Sequence, residues 1–143
     1  MLFPHDERGT QLVEMPVTSL TTTNTRTGEL EQSTIPHPEL LMDMVAEGQL
    51  HDVCSHKVVD SLEGMTKKFT TPYVVFYGSK SRTGEAFPIN KTIRQIQGSR
   101  FQESKAWRGD VIAVKYEAHS FTRIVDCNSS DFPLLRNWFI NAA

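Results

Sequence analysis

The chain has 143 residues, of which 38% are hydrophobic and 22% are charged, and its 15 basic and 17 acidic side chains give a formal net charge of −2. These values are typical of one globular domain, since a chain of this length buries roughly two thirds of its unfolded surface without a disulfide framework or a metal. The longest apolar run, residues 72–77, is far shorter than the roughly 18 residues of a membrane-spanning helix. Residues 1–8 also lack the pattern of a secretory signal. We therefore expect an intracellular protein, cytoplasmic or nuclear, with no membrane partner.

The first 35 residues predict an N-terminal hairpin or arm. Apolar side chains alternate along residues 11–17, which predicts a strand, and Pro16 places that strand at the edge of a sheet. Residues 18–28 are rich in threonine and contain turn-forming Asn and Gly. After this turn, residues 29–34 run back along the first half of the hairpin. A solvated hairpin and a partly mobile arm both fit this pattern, and we favour the hairpin.

Residues 36–143 form the predicted core of the same domain. A helix begins near Pro38, with Glu39 in its first turn, and ends at Gly48. Residues 49–65 fit a short helix or a strand equally well. Residues 72–77, Pro-Tyr-Val-Val-Phe-Tyr, are apolar on both faces, which predicts a central strand covered on both sides.

The last third of the chain predicts a helix, a hairpin and a final helix. Pro88 and Gly98 bracket a run with isoleucines at helical spacing. Residues 111–116 and 121–127 predict an antiparallel hairpin, and the N-cap cluster at 128–131 precedes a C-terminal helix. The order of elements predicts an α+β domain with a mainly antiparallel sheet and about three helices packed on it.

Charge is distributed unevenly along the chain. Residues 1–65 carry eleven acids and three bases, a net charge of −8, whereas residues 66–108 carry two acids and nine bases, a net charge of +7. The basic segment predicts an anion-binding face, and an acidic part that simply pairs with a basic part is the alternative. A Gly/Ser/Thr loop that follows a strand can present backbone N–H groups to a phosphate. The candidate ligand- or anion-binding residues are Gly78, Ser79, Lys80, Ser81, Arg82, Thr83, Gly84, Lys91 and Arg94.

The segment from Val75 to Glu85 resembles the phosphate-binding loop after the first strand of flavodoxin-like flavin-binding domains, in which a strand ending in Tyr-Gly-Ser enters a Thr/Gly loop. The resemblance covers about eleven residues and implies binding of a flavin phosphate. An extra residue separates the Ser from the Thr-Gly pair, and only 59 residues follow Gly84. A doubly wound fold needs four further parallel strands with crossover helices, so we expect no cofactor.

A second resemblance covers about the last 55 residues. The spacing of Pro88-Ile89-Asn90, of Trp107 to Ile112 and of Phe132 to Leu135 is similar to that of predicted proteins of mushroom-forming fungi with no assigned function. This resemblance implies an intact domain and no particular activity.

The cysteine and histidine residues do not complete a metal site. His51, Cys54 and His56 form the one His/Cys cluster in the sequence, and a structural zinc site requires four ligands. We therefore expect no metal, and we expect Cys54 and Cys127 to be free thiols.

The sequence contains no motif that fixes a reaction. Basic residues interleaved with Phe87, Phe101 and Trp107 make nucleic acid a candidate partner, although no nucleic-acid module is present. We predict a non-catalytic binding domain that acts through a protein partner or self-association. The alternative is a small enzyme or a phosphate- or nucleotide-binding protein that uses the loop from Gly78 to Gly84.

Overall fold

The computed structural model of the chain describes residues 1–6, 8–45, 51–81 and 86–141, and the side chains of 42–45, 51–54 and 79–81 lie outside that description. In chain order the strands are β1 (Leu2–Phe3), β2 (Val17–Thr23), β3 (Leu30–Pro36), β4 (His51–Val59), β5 (Tyr73–Ser81), β6 (Val111–Tyr116) and β7 (Ile124–Val125). The α-helices are α1 (Pro38–Val45), α2 (Lys91–Gln97) and α3 (Phe132–Asn141). The antiparallel sheets and three helices confirm the predicted α+β class. None of the helices in the described ranges is long and apolar enough to cross a bilayer.

The main sheet has β5 at its centre. The strand order is β1-β6-β5-β4, and β7 pairs with β6 beyond the end of β1. Val75 lies opposite Lys57 on one side and Ala113 on the other, and its side chain is fully buried. The prediction of a central strand from the apolar run at 72–77 is therefore confirmed.

Apolar side chains cover both faces of this sheet. On one face α2 and α3 contribute Ile93, Leu135 and Phe139 to a core that also contains Trp107. On the other face Leu41 of α1 packs with side chains of β5 and β6. Successive residues of a strand point to opposite faces, so β5 and β6 need apolar side chains at nearly every position.

The N-terminus is held in the main sheet by a buried asparagine. Leu2 and Phe3 pair with Ile112 and Val111 of β6, so these two residues of the predicted arm belong to the core. The Asn90 side chain caps α2 by accepting from the N–H of Ile93 at 2.8 Å. Its amide group donates to the carbonyls of Phe3 and Gly109 at 2.9 and 2.7 Å. One side chain thus joins the first strand, a helix and the turn before β6.

The predicted strand at residues 11–17 is largely wrong. Gln11 forms an isolated bridge with Leu2, and a strand begins only at Val17. Val13 and Met15 instead pack against the core on the α1 side of the main sheet. Pro16 has no N–H to donate to a ladder, which is consistent with a strand that starts after it.

Other boundaries differ from the sequence prediction by several residues. The ambiguous segment 49–65 contains the strand β4, and β5 continues to Ser81, four residues beyond its predicted end. The second helix begins after its N-cap Asn90 rather than at Pro88. The hairpin of β6 with β7 and the capped C-terminal helix are confirmed, although β7 has only two residues.

Candidate interaction surface

The β2–β3 hairpin projects from the body of the protein as an exposed arm. Its seven residue pairs run from Val17 opposite Pro36 to Thr23 opposite Leu30. All seven side chains of β2 are exposed, including Leu20, and Leu30 on β3 is 73% exposed. The hairpin prediction is therefore confirmed. An isolated two-stranded sheet is only marginally stable in water, so an arm of this kind gains from a further strand.

Three backbone hydrogen bonds determine which groups of the arm point outward. Asn24 N–H donates to the carbonyl of Glu29, and His37 N–H donates to the carbonyl of Pro16. Hydrogen-bonded and non-hydrogen-bonded pairs alternate along an antiparallel ladder. The even-numbered residues of β2 therefore bond to β3, and the odd-numbered residues direct their N–H and C=O groups outward. The bond from Thr34 N–H to the carbonyl of Thr122 fits the same alternation, because Thr34 pairs with Ser19.

The outer edge of β2 is an unprotected strand edge. The outward backbone groups of Val17, Ser19, Thr21 and Thr23 bond to nothing in the described part of the chain. The sequence of β2, Val-Thr-Ser-Leu-Thr-Thr-Thr, contains no charged residue and no proline. Natural proteins usually block exposed strand edges with lysine, proline, bulges or a covering segment. This edge has none of these features and is suited to pairing with another strand.

The other exposed edges carry such protection. The outer edge of β3 bonds at its base to Thr122, and Glu31 adds a charge to this strand near its tip. The edge strand β4 contains Lys57 and two register irregularities near its start, between His51 and Val53 and between Val53 and Cys54. Strand addition is thus favoured at β2.

A groove of about 500 Å³ lies at the base of the arm, along the side of β6 between β1 and β7. Its walls include Val17 and Thr34 from the arm, Ile112 and Val114 from β6, and Ile124 from β7. Two acidic residues without an ion pair in the described structure also line it, and they are Glu14 and Asp126. The groove is therefore largely apolar, with Glu14 and Asp126 exposed at its margin and with Lys115, which is paired with Asp131, also in its lining.

The first part of the predicted phosphate loop is strand. Gly78 pairs with Cys54, and Ser81 pairs with His51, so the four residues from Gly78 to Ser81 extend β5. Backbone N–H groups of a strand alternate in direction and do not converge on one phosphate. Arg82, Thr83 and Gly84 lie outside the described residues, and so do the side chains of Ser79, Lys80 and Ser81.

Lys91 and Arg94 both lie on the exposed side of α2. The Lys91 N–H donates to the carbonyl of His5, and the Arg94 guanidinium lies 4.7 Å from the centre of the Phe101 ring. These two residues of the predicted anion-binding set therefore lie on one surface. Asp60, in the acidic segment of residues 1–65, forms an ion pair at 3.1 Å with Lys68, in the basic segment of residues 66–108.

Asp131 organises a second cluster of ionisable side chains. Its carboxylate accepts from the Tyr73 hydroxyl at 2.5 Å, from the Asn128 N–H at 2.7 Å and from Lys115 at 3.0 Å. Burial raises the pKa of Asp131, but these contacts outweigh it and hold the pKa below the ordinary value of 3.8. Burial, together with the bond to Asp131, raises the pKa of Tyr73. Burial also raises the pKa of the neighbouring Cys127 thiol, so that this free cysteine is protonated and poorly nucleophilic.

A third polar cluster joins His5 to Asp110. One oxygen of the fully buried Asp110 carboxylate accepts from the His5 N–H at 2.8 Å and contacts His5 Nδ1 at 2.9 Å. Its other oxygen has no hydrogen-bond partner among the described residues. Those residues also contain no group of three metal-ligating side chains. The pair ties His5, which follows β1, to Asp110, which precedes β6.

No protein-family model, curated protein or solved structure matches the chain.

Charge and motif patterns in the sequence do not indicate the β2 edge, because this strand contains neither. A usable signal was present in the sequence: seven residues without charge or proline, four of them threonine, directly before a turn that contains Asn24 and Gly28. β-branched residues favour strands, and the absence of a blocking residue marks an open edge.

Proposed function

We propose that this protein is a non-catalytic interaction domain that self-associates by pairing the outer edges of β2 from two copies. The observation that carries the proposal is the seven-residue, uncharged strand edge whose outward backbone groups have no partner in the described structure. A second copy provides the same edge, and antiparallel pairing of identical strands forms a closed two-fold dimer.

The sequence of β2 suits pairing with itself. One antiparallel register pairs the whole strand: Val17 lies opposite Thr23, Ser19 opposite Thr21, and Leu20 opposite Leu20. All outward N–H and C=O groups of both strands are then used, in about eight hydrogen bonds. Thr18 of each strand lies opposite Thr22 of the other, no like charges meet, and the two leucines contact at the two-fold axis.

The expected dimer is weak. Each interstrand hydrogen bond adds only about 0.5–1.5 kcal/mol net, and association costs at least about 4 kcal/mol in lost freedom. The contact of two seven-residue strands also falls at the low end of interface sizes. With bonds toward the upper end of that range, eight of them less this cost leave about 7 kcal/mol, which corresponds to a dissociation constant on the order of 10 µM.

Sedimentation velocity from about 1 µM to about 500 µM tests the proposal, because this range brackets the expected dissociation constant. The wild-type chain should shift from monomer to dimer, and Thr21→Lys should remain monomeric because it places a charge on the pairing edge. Gln32→Lys is the matched control: Gln32 lies directly opposite Thr21 on the same face but on β3, and this variant should still dimerise. A wild-type chain that is monomeric throughout, or equal dimerisation of both variants, would overturn the proposal.

Cross-linking tests the register. Leu20→Cys places two thiols at a non-hydrogen-bonded pair, where Cα atoms lie about 4.5 Å apart, within the range of a disulfide. Thr22→Cys leaves its two copies offset by four residues, about 13 Å, which is too far. Both variants contain the native cysteines, so the background is equal. Oxidation should give a covalent dimer of the first variant only, and equal cross-linking of both would contradict the register.

A further inference from the structure

The proposed dimer brings the tip of each arm to the base of the other. In the register that pairs the whole of β2, Thr23 at the tip end of one strand lies opposite Val17 at the base of the other. Val17 also lines the groove at the base of the arm. Arg26 lies in the turn just beyond the tip end of β2, and Glu14 precedes the base of β2 by three residues, so the same pairing brings Arg26 of one copy near Glu14 of the other.

Both side chains are exposed and available for this contact. The tip is ordered by bonds to Asn24, whose side chain accepts from the Arg26 N–H at 2.9 Å and whose carbonyl accepts from the Gly28 N–H at 2.8 Å. The backbone of Arg26 is thereby fixed while its guanidinium has no partner in the described structure. Glu14 likewise has no ion pair there and lies at the acidic margin of the groove.

We propose that Arg26 of each copy forms an ion pair with Glu14 of the other, and that these two symmetric pairs select the register of the dimer. The inference rests on the proposed self-association. A shift of the pairing by two residues in either direction would move the tip of one arm about 7 Å along the other arm and separate Arg26 from Glu14. Complementary charges at the ends of an interface fix register and discourage other pairings, even where they add little affinity.

Charge reversal separates this inference from the self-association itself. Arg26→Glu sets two acids against each other at both ends of the dimer, and Glu14→Arg sets two bases against each other. Each single variant should dimerise about tenfold more weakly than wild type, since two exposed pairs become two repulsions. An equimolar mixture of the two variants should form a heterodimer of near wild-type affinity, because both contacts again join opposite charges. Sedimentation velocity of each variant and of the mixture measures this.

A matched control moves the restoring charge from position 14 at the base of the arm to position 29 at its tip. Arg26→Glu mixed with Glu29→Arg has the same net charge as the first mixture, but the tips of the two arms lie at opposite ends of the dimer, so no recovery is expected. Circular dichroism verifies that the variants fold, which their exposed positions favour.

The outcomes distinguish the two proposals. Recovery in the first mixture but not in the control supports the ion pair. Wild-type affinity in both single variants, or equal recovery in the control mixture, overturns the ion pair and leaves strand pairing intact if Leu20→Cys still cross-links. A monomeric wild-type chain without cross-linking at Leu20 overturns both.

Discussion

Replacement of Asn90 tests how the N-terminal strand is held in the fold. Asn90→Ala removes the α2 cap, which is worth about 1 kcal/mol, and leaves the carbonyls of Phe3 and Gly109 without their donor. An unsatisfied buried polar group costs about 1–3 kcal/mol. Asn90 is 1% exposed, so water cannot replace the lost bonds without rearrangement. The expected loss is therefore about 4 kcal/mol, a large part of the roughly 5–15 kcal/mol that stabilises a typical domain.

Two further substitutions separate the cap from the bridge. Asn90→Ser retains a good N-cap but cannot reach both carbonyls, so it should lose about 2–3 kcal/mol. Asn90→Asp keeps the cap acceptor but sets a carboxylate oxygen against two carbonyl oxygens, and should be at least as unstable as the alanine variant. Urea denaturation followed by tryptophan fluorescence reports these differences, because Trp107 is buried in the same core. Wild-type stability in Asn90→Ser would refute the bridging role.

Three more predictions concern the core, its pH dependence and the basic helix. Val75→Asp should unfold the domain, because it places an unpaired charge at a fully buried position in the central strand. If the variant had the same urea-denaturation midpoint as the wild-type chain, that placement would be contradicted. The pKa of Asp131 is lower in the folded chain than the ordinary 3.8, so the unfolded state takes up the proton first as pH falls. The stabilisation is thus complete above about pH 4 and is lost at lower pH, and Asp131→Asn should flatten this part of the stability profile measured by urea melts. If the predicted anion site exists, a heparin column should retain the wild-type chain in a salt-sensitive way, and the double variant Lys91→Ala/Arg94→Ala should elute at lower salt. Elution of both chains at the same salt concentration would count against the site.

The sequence predicted elements whose signal lies within the element itself. The apolar run at 72–77 identified the central strand, and the capping residues at 128–131 marked the start of the C-terminal helix. Residues 49–65 remained ambiguous because strand and helix patterns overlap in a short apolar segment. Leu2 and Phe3 are too few to give a periodic signal, and their pairing with β6 depends on residues more than 100 positions away.

The candidate surface was only partly predictable for a related reason. The threonine-rich segment and its turn indicated the hairpin, but its exposed edge depends on how the base is attached. The bonds of His37 to Pro16 and of Thr34 to Thr122 set which edge of the arm is occupied. Such contacts follow from the tertiary structure, so the period-two pattern of a strand cannot specify them.

The pairing of β1 with β6 has a consequence for the order in which the chain folds. The His5 N–H bonds to Asp110 across a separation of 105 residues, so the main sheet closes only after most of the chain has been synthesised. A hairpin such as β2–β3 forms within about 10 µs of its own completion, whereas translation adds only about 5–20 residues per second. The arm is therefore synthesised and begins to pair seconds before β6 leaves the ribosome, although a lone hairpin is only marginally stable. During that interval Leu2 and Phe3 lack their partner strand, and the first strands of the nascent chain to pair are those with the open edge.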